Sequence, residues 1–307
     1  MKHYLGIILS VIYALTLRGL AEFKIIEINS LSFLIITPML LGFIPFFLKD
    51  KSFLKSIFKT ILFPLISVLL FLLLAVITRL EDLACFMIIG FPYILFSIAV
   101  SLILRELFKD KDDGISKNAI PIFMLPILLG MIEKQLPKEN ADLSISNEIV
   151  INRDKQDVWN NLLAVPDLTD DGSKGFVNYL GIPRPIRSTY DALNNVRLGY
   201  FENNIVLNES VVQLIELEKL VFKINLDKSQ LASSPTLAHV LNNHTIEFDT
   251  IKYELSSIGE RQTKLKLSTK FTINSNISFY AQYWSNLIIN DFETSLLKAL
   301  KRAIEAK

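Results

Sequence analysis

With 307 residues the chain has room for two domains of ordinary size. Its 51% hydrophobic and 21% charged residues average two unlike stretches: Leu, Ile, Phe and Val dominate before about residue 137, and Lys, Glu, Asp and Asn interleave with apolar residues after it. A net charge of +1 supplies no basic surface for a nucleic-acid partner, and the single cysteine, Cys85, excludes an intramolecular disulfide and a Cys-based zinc site.

A helix needs about 20 residues to cross the hydrocarbon core of a bilayer. Residues 30–48, 60–78 and 83–104 reach that length without a charge, and each holds a proline of the kind membrane helices tolerate. Residues 4–17 are shorter and end at Arg18, which can snorkel if the helix continues to about Phe23; a signal peptide is the competing reading, since Lys2 precedes the apolar stretch. Residues 119–132 are also short, with two prolines, and read as a fifth span, a re-entrant piece or an interfacial helix. Five crossings are the preferred reading.

Five crossings would leave Lys2, Lys49, Lys51, Lys55, Lys59, Arg105, Lys109, Lys111 and Lys117 on one side, and Arg18, Lys24, Arg79, Lys134 and Lys138 on the other. The richer side is expected in the cytoplasm, with the C-terminal domain on the outer face of the cell membrane; losing either weak span reverses that. No ionisable residue falls inside the three long apolar runs. Arg18, Lys59, Arg79 and Glu133 fall near the ends of spans, where anchoring is the ordinary role, so an anchor or packing scaffold is preferred to a transport pathway.

Residues 135–140 read as a polar linker, which divides the chain into a transmembrane region, 1–137, and a soluble domain, 138–307. From residue 143 the apolar period becomes two: Leu143, Ile145, Ile149 and Ile151 predict a half-buried strand. Asp154 is placed to cap a helix containing Val158, Trp159, Leu162 and Leu163, and a second short helix is expected over about 173–180, stopped by Gly181 and the prolines at 183 and 185. Strands follow over 196–202 and 205–216 around a tight Asn203-Asn204 turn, then over 219–226, 246–255 and 264–273, with a bulge expected near Asp249-Thr250 where the apolar phase shifts. The last element is a long helix over about 278–305, with Trp284, Ile288, Phe292, Leu296, Leu300 and Ile304 recurring at i+4. Consecutive strands without helical crossovers make an antiparallel sheet.

The order of these elements, with the words IVINRDKQDVWNNL, GIPRP, VRLGYFENNIVLNESV, KLVFKIN and YAQYWSNLIINDFETSLLKALKRA, resembles the START/Bet v 1-like superfamily, whose members include polyketide cyclases and lipid-transport proteins. The likeness spans about 143–306 and is closest to bacterial forms that carry several membrane helices ahead of the domain. It implies an α+β helix-grip fold, an antiparallel sheet wrapped around the long C-terminal helix, with a cavity for a hydrophobic small molecule. Around 193–197, where the family pattern has glycines, this chain has Asn194-Asn195.

No Gly-rich phosphate loop, nucleophile elbow or H-E-x-x-H motif occurs. His239 and His244, beside Glu247 and Asp249, read as ordinary loop histidines rather than metal ligands. Asp110, Asp112 and Asp113 miss the calcium-loop pattern, and Asp170-Asp171 reads as a solvated loop. Asn208, Asn243 and Asn276 open N-x-S/T sequences that matter only in a eukaryotic secretory protein. Neither a metal nor another cofactor is expected. The candidate cavity-lining residues are Arg197, Phe201, Phe222, Phe248, Tyr253, Phe271, Trp284, Ile288 and Phe292, although the aromatic ones serve equally to fill a core, and alternation alone does not say which strand face meets the helix. Arg197 stands out because a charge in mid-domain needs a partner or solvent. The expected function is a membrane-anchored binding domain for a lipid or other hydrophobic molecule. The alternatives are a cyclase or aromatase-type enzyme using Arg197, His239 or Tyr253, and a membrane-tethered protein-interaction module.

Overall fold

The computed structural model describes residues 4–47, 54–109, 117–169, 174–231, 241 and 245–306. Lys2, Lys49, Lys51, Lys111, the acidic groups at 110–113 and 170–171, His239, His244 and Asn243 lie outside them. The chain divides into two compact units: Met1–Lys138 with Ser275–Ile277, and Glu139–Asn274 with Ser278–Lys307.

The first unit is helical: α1 (Leu5–Glu22), a π-helical turn Ser32–Ile36 leading into α2 (Thr37–Phe47), α3 (Ile57–Ile77), α4 (Leu83–Phe108), and a 3-10 stretch Lys117–Met124 leading into α5 (Leu125–Glu133). Three of these, α1, α3 and α4, are long and apolar enough to cross a membrane; the second and fifth segments are shorter. That redistributes the expectation. Residues 4–17 extend through Arg18 to Glu22, whereas the long apolar run 30–48 is interrupted by the π turn. Close approach uses small residues. A Cβ on Gly6 would stand 2.6 Å from the Pro45 carbonyl oxygen, and one on Gly42 2.2 Å from that of Ser97, so α1 and α4 both pack against the backbone of α2.

Arg18 does not snorkel. Its guanidinium is fully buried and donates to Glu81, to Glu22 (2.8 Å) and to the Leu80 carbonyl (2.7 Å), fastening α1 to the α3–α4 turn. Glu133 is buried too, and its carboxylate accepts from the Leu31 and Ser32 amides (2.6 and 3.1 Å) and the Ser32 hydroxyl (2.9 Å). It therefore caps the start of the second segment, where free amides attract an anion. Lys134 donates to the Lys24 carbonyl, and Lys138 pairs with Glu27. Ile7, Phe46, Leu54 and Phe63, from the start of α1, the end of α2 and the start of α3, cluster with Phe108 from the end of α4. These contacts gather most of the described segment ends into two groups.

The second unit opens with β1 (Glu139–Ile151), so the expected linker already pairs as strand at Glu139 and Asn140. Then come α6 (Lys155–Leu163), α7 (Phe176–Tyr179), β2 (Pro185–Asp191), β3 (Val196–Phe201), β4 (Ile205–Ile215), β5 (Lys219–Gln230), β6 (Ile246–Gly259), β7 (Gln262–Ser275) and α8 (Ser278–Glu305). The seven strands form one sheet, β1-β7-β6-β5-β4-β3-β2, whose inner face packs on α8 in a helix-grip arrangement. Asp154 caps α6 by accepting from the Asp157 amide at 2.8 Å. The bulge falls at Asp249, between Phe248 and Thr250.

Three details differ from the sequence reading. Strand β2 was not anticipated, because Pro183 and Pro185 mask its start and Arg187 and Asp191 break its apolar period. The β3–β4 connection is the three-residue turn Glu202–Asn204, with Asn203 and Asn204 left-handed, so Phe201 rather than Glu202 pairs with Ile205. On α8 the buried row is Ser285, Ile289, Glu293, Leu297, Leu300 and Ile304, while Trp284, Ile288, Phe292 and Leu296 are half-buried beside it. Four residues of helix turn about 400°, so a strict i+4 row slips about 40° per step; the predicted row begins beside the core and enters it only at Leu300.

Candidate functional site

Strand register identifies the inner face of the sheet. Arg197 pairs with Glu209, Glu209 with Ile224, Phe222 with Ile251, Tyr253 with Leu267 and Phe248 with Phe271. Toward one end this face is a packed core: Leu220, Phe222, Tyr253, Leu255, Leu265 and Leu267 meet Val158, Trp159 and Leu162 of α6 and Leu297, Leu300 and Ile304 of α8. Phe222 and Tyr253 are therefore core side chains, with ring centroids 6.0 Å apart. Phe248 and Phe271, 6.3 Å apart, belong to a second, smaller cluster with Ile273 and Ile289.

Polar groups cross the face between these regions. Arg197 and Glu209 form a buried ion pair, the guanidinium also donating to the Leu163 carbonyl at 3.2 Å and lying 5.1 Å from the Phe222 ring centroid. Leu163 ends α6, so Arg197 satisfies one of that helix's orphan carbonyls and neutralises Glu209 at once. Gly199 makes space for this: a Cβ there would be 3.0 Å from the Glu209 carboxylate and 3.2 Å from the Phe201 ring. Burial pushes the Glu209 carboxyl above its ordinary value, with Arg197 pulling it back.

Glu293 on α8 is also buried. It accepts from the Thr269 hydroxyl at 2.6 Å and the Asn147 amide at 2.9 Å. Both of these partners are neutral, so desolvation raises its carboxyl and these hydrogen bonds only partly oppose that. Burial carries the Tyr253 phenol up to about 12; Arg197 lowers it, while Glu209 and Glu293 raise it further.

On the inner face of β3–β5, beyond this polar belt, lies an apolar sector that is less enclosed. Phe201, Leu207 and Ile224 are half-buried there, and Trp284, Ile288, Phe292 and Leu296 are half-buried on α8. Phe201 and Phe292 stack across it at 6.3 Å. Beside Phe292 and Leu296 a crevice lined by Leu168, Asn178, Arg184, Pro185 and Ala299 encloses about 10 Å³, room for roughly one water.

Of the nine predicted site residues, the structure brings Phe201 and Phe292 together in the half-open sector, and Trp284 and Ile288 are half-buried on the same helix as Phe292. Phe222, Tyr253, Phe248 and Phe271 sit in packed clusters, and Arg197 sits in the belt. Glu209 and Glu293 were missed by sequence reasoning. The signal for Glu293 was an acidic residue flanked at i±4 by Ile289 and Leu297. Among the described residues, no group of three or more His, Cys, Asp and Glu side chains is arranged to hold a metal ion.

No protein-family model matches the chain, and no curated protein sequence is similar to it. Solved structures similar to it include the ZhuI aromatase/cyclase from Streptomyces sp. R1128, at 9% identity and TM-score 0.35, covering 54% of this chain and 94% of that one. Others are truncated norcoclaurine synthase from Thalictrum flavum, at 10% identity and TM-score 0.33, covering 54% and 95%, and XoxI from Bacillus cereus, at 13% and 0.34, covering 52% and 94%. At these values the likeness carries neither a ligand nor an activity to this chain.

Proposed function

We propose that this chain is a membrane-anchored binding protein for a lipid or another hydrophobic small molecule. The ligand would lie in the half-open sector between α8 and β3–β5. One observation carries the reading: Phe201, Leu207 and Ile224 share a sheet face with the packed core yet are only half-buried, and the α8 row Trp284, Ile288, Phe292 and Leu296 is half-buried as well. An apolar groove closed on one side by a satisfied polar belt suits a molecule with a long apolar body. The 10 Å³ crevice adjoins it at Phe292 and Leu296.

Five crossings remain our reading of the anchor. The two groups of segment ends support it. So does the 3-10 stretch: eight residues at about 2.0 Å and nine at about 1.5 Å give the fifth segment roughly 30 Å, where 14 residues of plain α-helix would give about 21 Å. With nine basic residues against five, the domain would face away from the cytoplasm.

A photo-reactive benzoyl-phenylalanine introduced at Phe292 in the full chain, irradiated in native membranes, tests the site. The peptide carrying position 292 should gain the mass of a lipid or other apolar molecule. Because only that peptide is read, lipids around the apolar helices do not contribute. Cross-links solely to other peptides of this chain would end the proposal.

A further inference from the structure

At the start of α8, Phe279, Tyr280, Tyr283 and Trp284 form an aromatic group at the domain surface. Phe279 is 85% exposed and Tyr283 56% exposed, and the Trp284 ring meets Tyr280 and Tyr283 edge-on at 6.4 and 5.8 Å. Leaving these rings in water has a cost that a folded domain ordinarily avoids.

From Phe271 through Asn290 the chain holds no Asp, Glu, Lys or Arg, so nothing charged on this segment resists an apolar medium. Chain connectivity supplies the second argument. The apolar helix α5 ends at Glu133 and β1 begins at Glu139, a tether of at most about 20 Å. Thr272 near the end of β7 hydrogen-bonds Asp142 near the start of β1 at 2.8 Å, so the strand leading into α8 ends at the same edge of the domain as that tether. The aromatic group therefore stands at the tethered edge. Tyr and Trp, apolar rings with a polar atom, concentrate where bilayer meets water, and exposed Phe drives insertion there.

We propose that this aromatic edge docks into the headgroup region of the bilayer in which the chain is anchored, holding the mouth of the α8 groove against lipid. The proposal rests on the reading of α1, α3 and α4 as membrane helices.

The test uses the full chain with Cys85→Ala and Phe279→Cys, the new thiol labelled with an environment-sensitive NBD dye, in phosphatidylcholine–phosphatidylglycerol vesicles. Flotation after an alkaline carbonate wash reports anchoring separately. A second labelled chain, Cys85→Ala with Leu193→Cys in the β2–β3 turn, is the aqueous reference, since Leu193 is 96% exposed. In floated protein the label at 279 should emit to the blue of the reference, lose emission to shallow bromolipids and resist aqueous iodide. Emission equal to the reference with full iodide quenching overturns docking while leaving anchoring intact. A blue shift without bromolipid quenching means that protein, such as a second copy, covers the edge, and also overturns it. Protein that fails to float removes the anchor and the docking together.

Discussion

Two of the apolar regions on the domain's inner face, the main core and the half-open sector, are built from similar residues but packed differently. Around Leu220, Leu265 and Leu300 the sheet meets both α6 and α8, so every apolar side chain has neighbours on two sides. Along β3–β5 the facing elements leave Phe201, Leu207 and Ile224 half-buried. Between them stands a belt of polar groups that satisfy one another. What separates a core from a candidate binding sector here is therefore not composition but whether a second layer covers it, and the belt marks the border.

Removing the border should cost most. Arg197→Met strands the Glu209 carboxylate in the interior, a loss of about 3–5 kcal/mol. Adding Glu209→Leu should return most of it, because the unpaired charge leaves with its partner. Urea unfolding of the full chain in detergent, followed by the fluorescence of Trp159, which is buried in α6, measures both. If the double variant were no more stable than the single one, the pair would not be acting as a coupled unit.

Next comes the packed region. Leu265 is fully buried, and Leu265→Ala should lose about 3 kcal/mol through lost burial and the cavity left behind. The same assay reads it, and a loss below about 1 kcal/mol would mean that this region too can collapse or admit solvent.

A smaller effect is expected from pH. The folded Glu293 carboxyl keeps its proton to higher pH than the unfolded one. Between those two values the native state holds the extra proton, so stability is full below the unfolded value and declines as pH rises through the folded one. Burial gives Glu209 the same sign. Glu293→Gln stays neutral, so its stability should fall less steeply between pH 5 and pH 8 than that of the unaltered chain. An unchanged slope would assign the dependence to Glu209 or elsewhere.

The mildest change is expected in the half-open sector. Ile288→Ala on the half-buried row should cost about 1 kcal/mol or less, because a partly exposed side chain gains less from folding. A loss as large as that of Leu265→Ala would erase the difference between the two regions.

Much of this architecture was legible from local pattern. Period-two alternation marked β1 and β3–β7, Asp154 announced α6, the phase change at Asp249 located the bulge, and α8 occupies the predicted span. Those features depend on residues within a turn or a pleat of each other. The helices of the first unit were legible as apolar runs, but not how two of them would be wound: a π turn at Ser32–Ile36 and a 3-10 stretch at Lys117–Met124 are not readable from hydropathy.

The partners of the charged groups were not legible, for a definite reason. A two-residue Asn203-Asn204 turn would pair Arg197 with Ser210; the third turn residue, Glu202, slips the register by one and brings Glu209 opposite instead. One residue of slip moves a side chain to the other face of a sheet, so the ion pair depended on a turn whose length local sequence left open. Arg18 shows the same limit: Glu81 lies 63 positions away, and only the packing of α1 on the α3–α4 turn makes them neighbours. By itself the sequence determined which stretches are apolar helices, which are strands, and that a long helix would face an antiparallel sheet, because those follow from periodicity. Which apolar residues became core, which charges became partners and which sector stayed half-open were decided by tertiary structure, since register and coverage are set between elements and not within them.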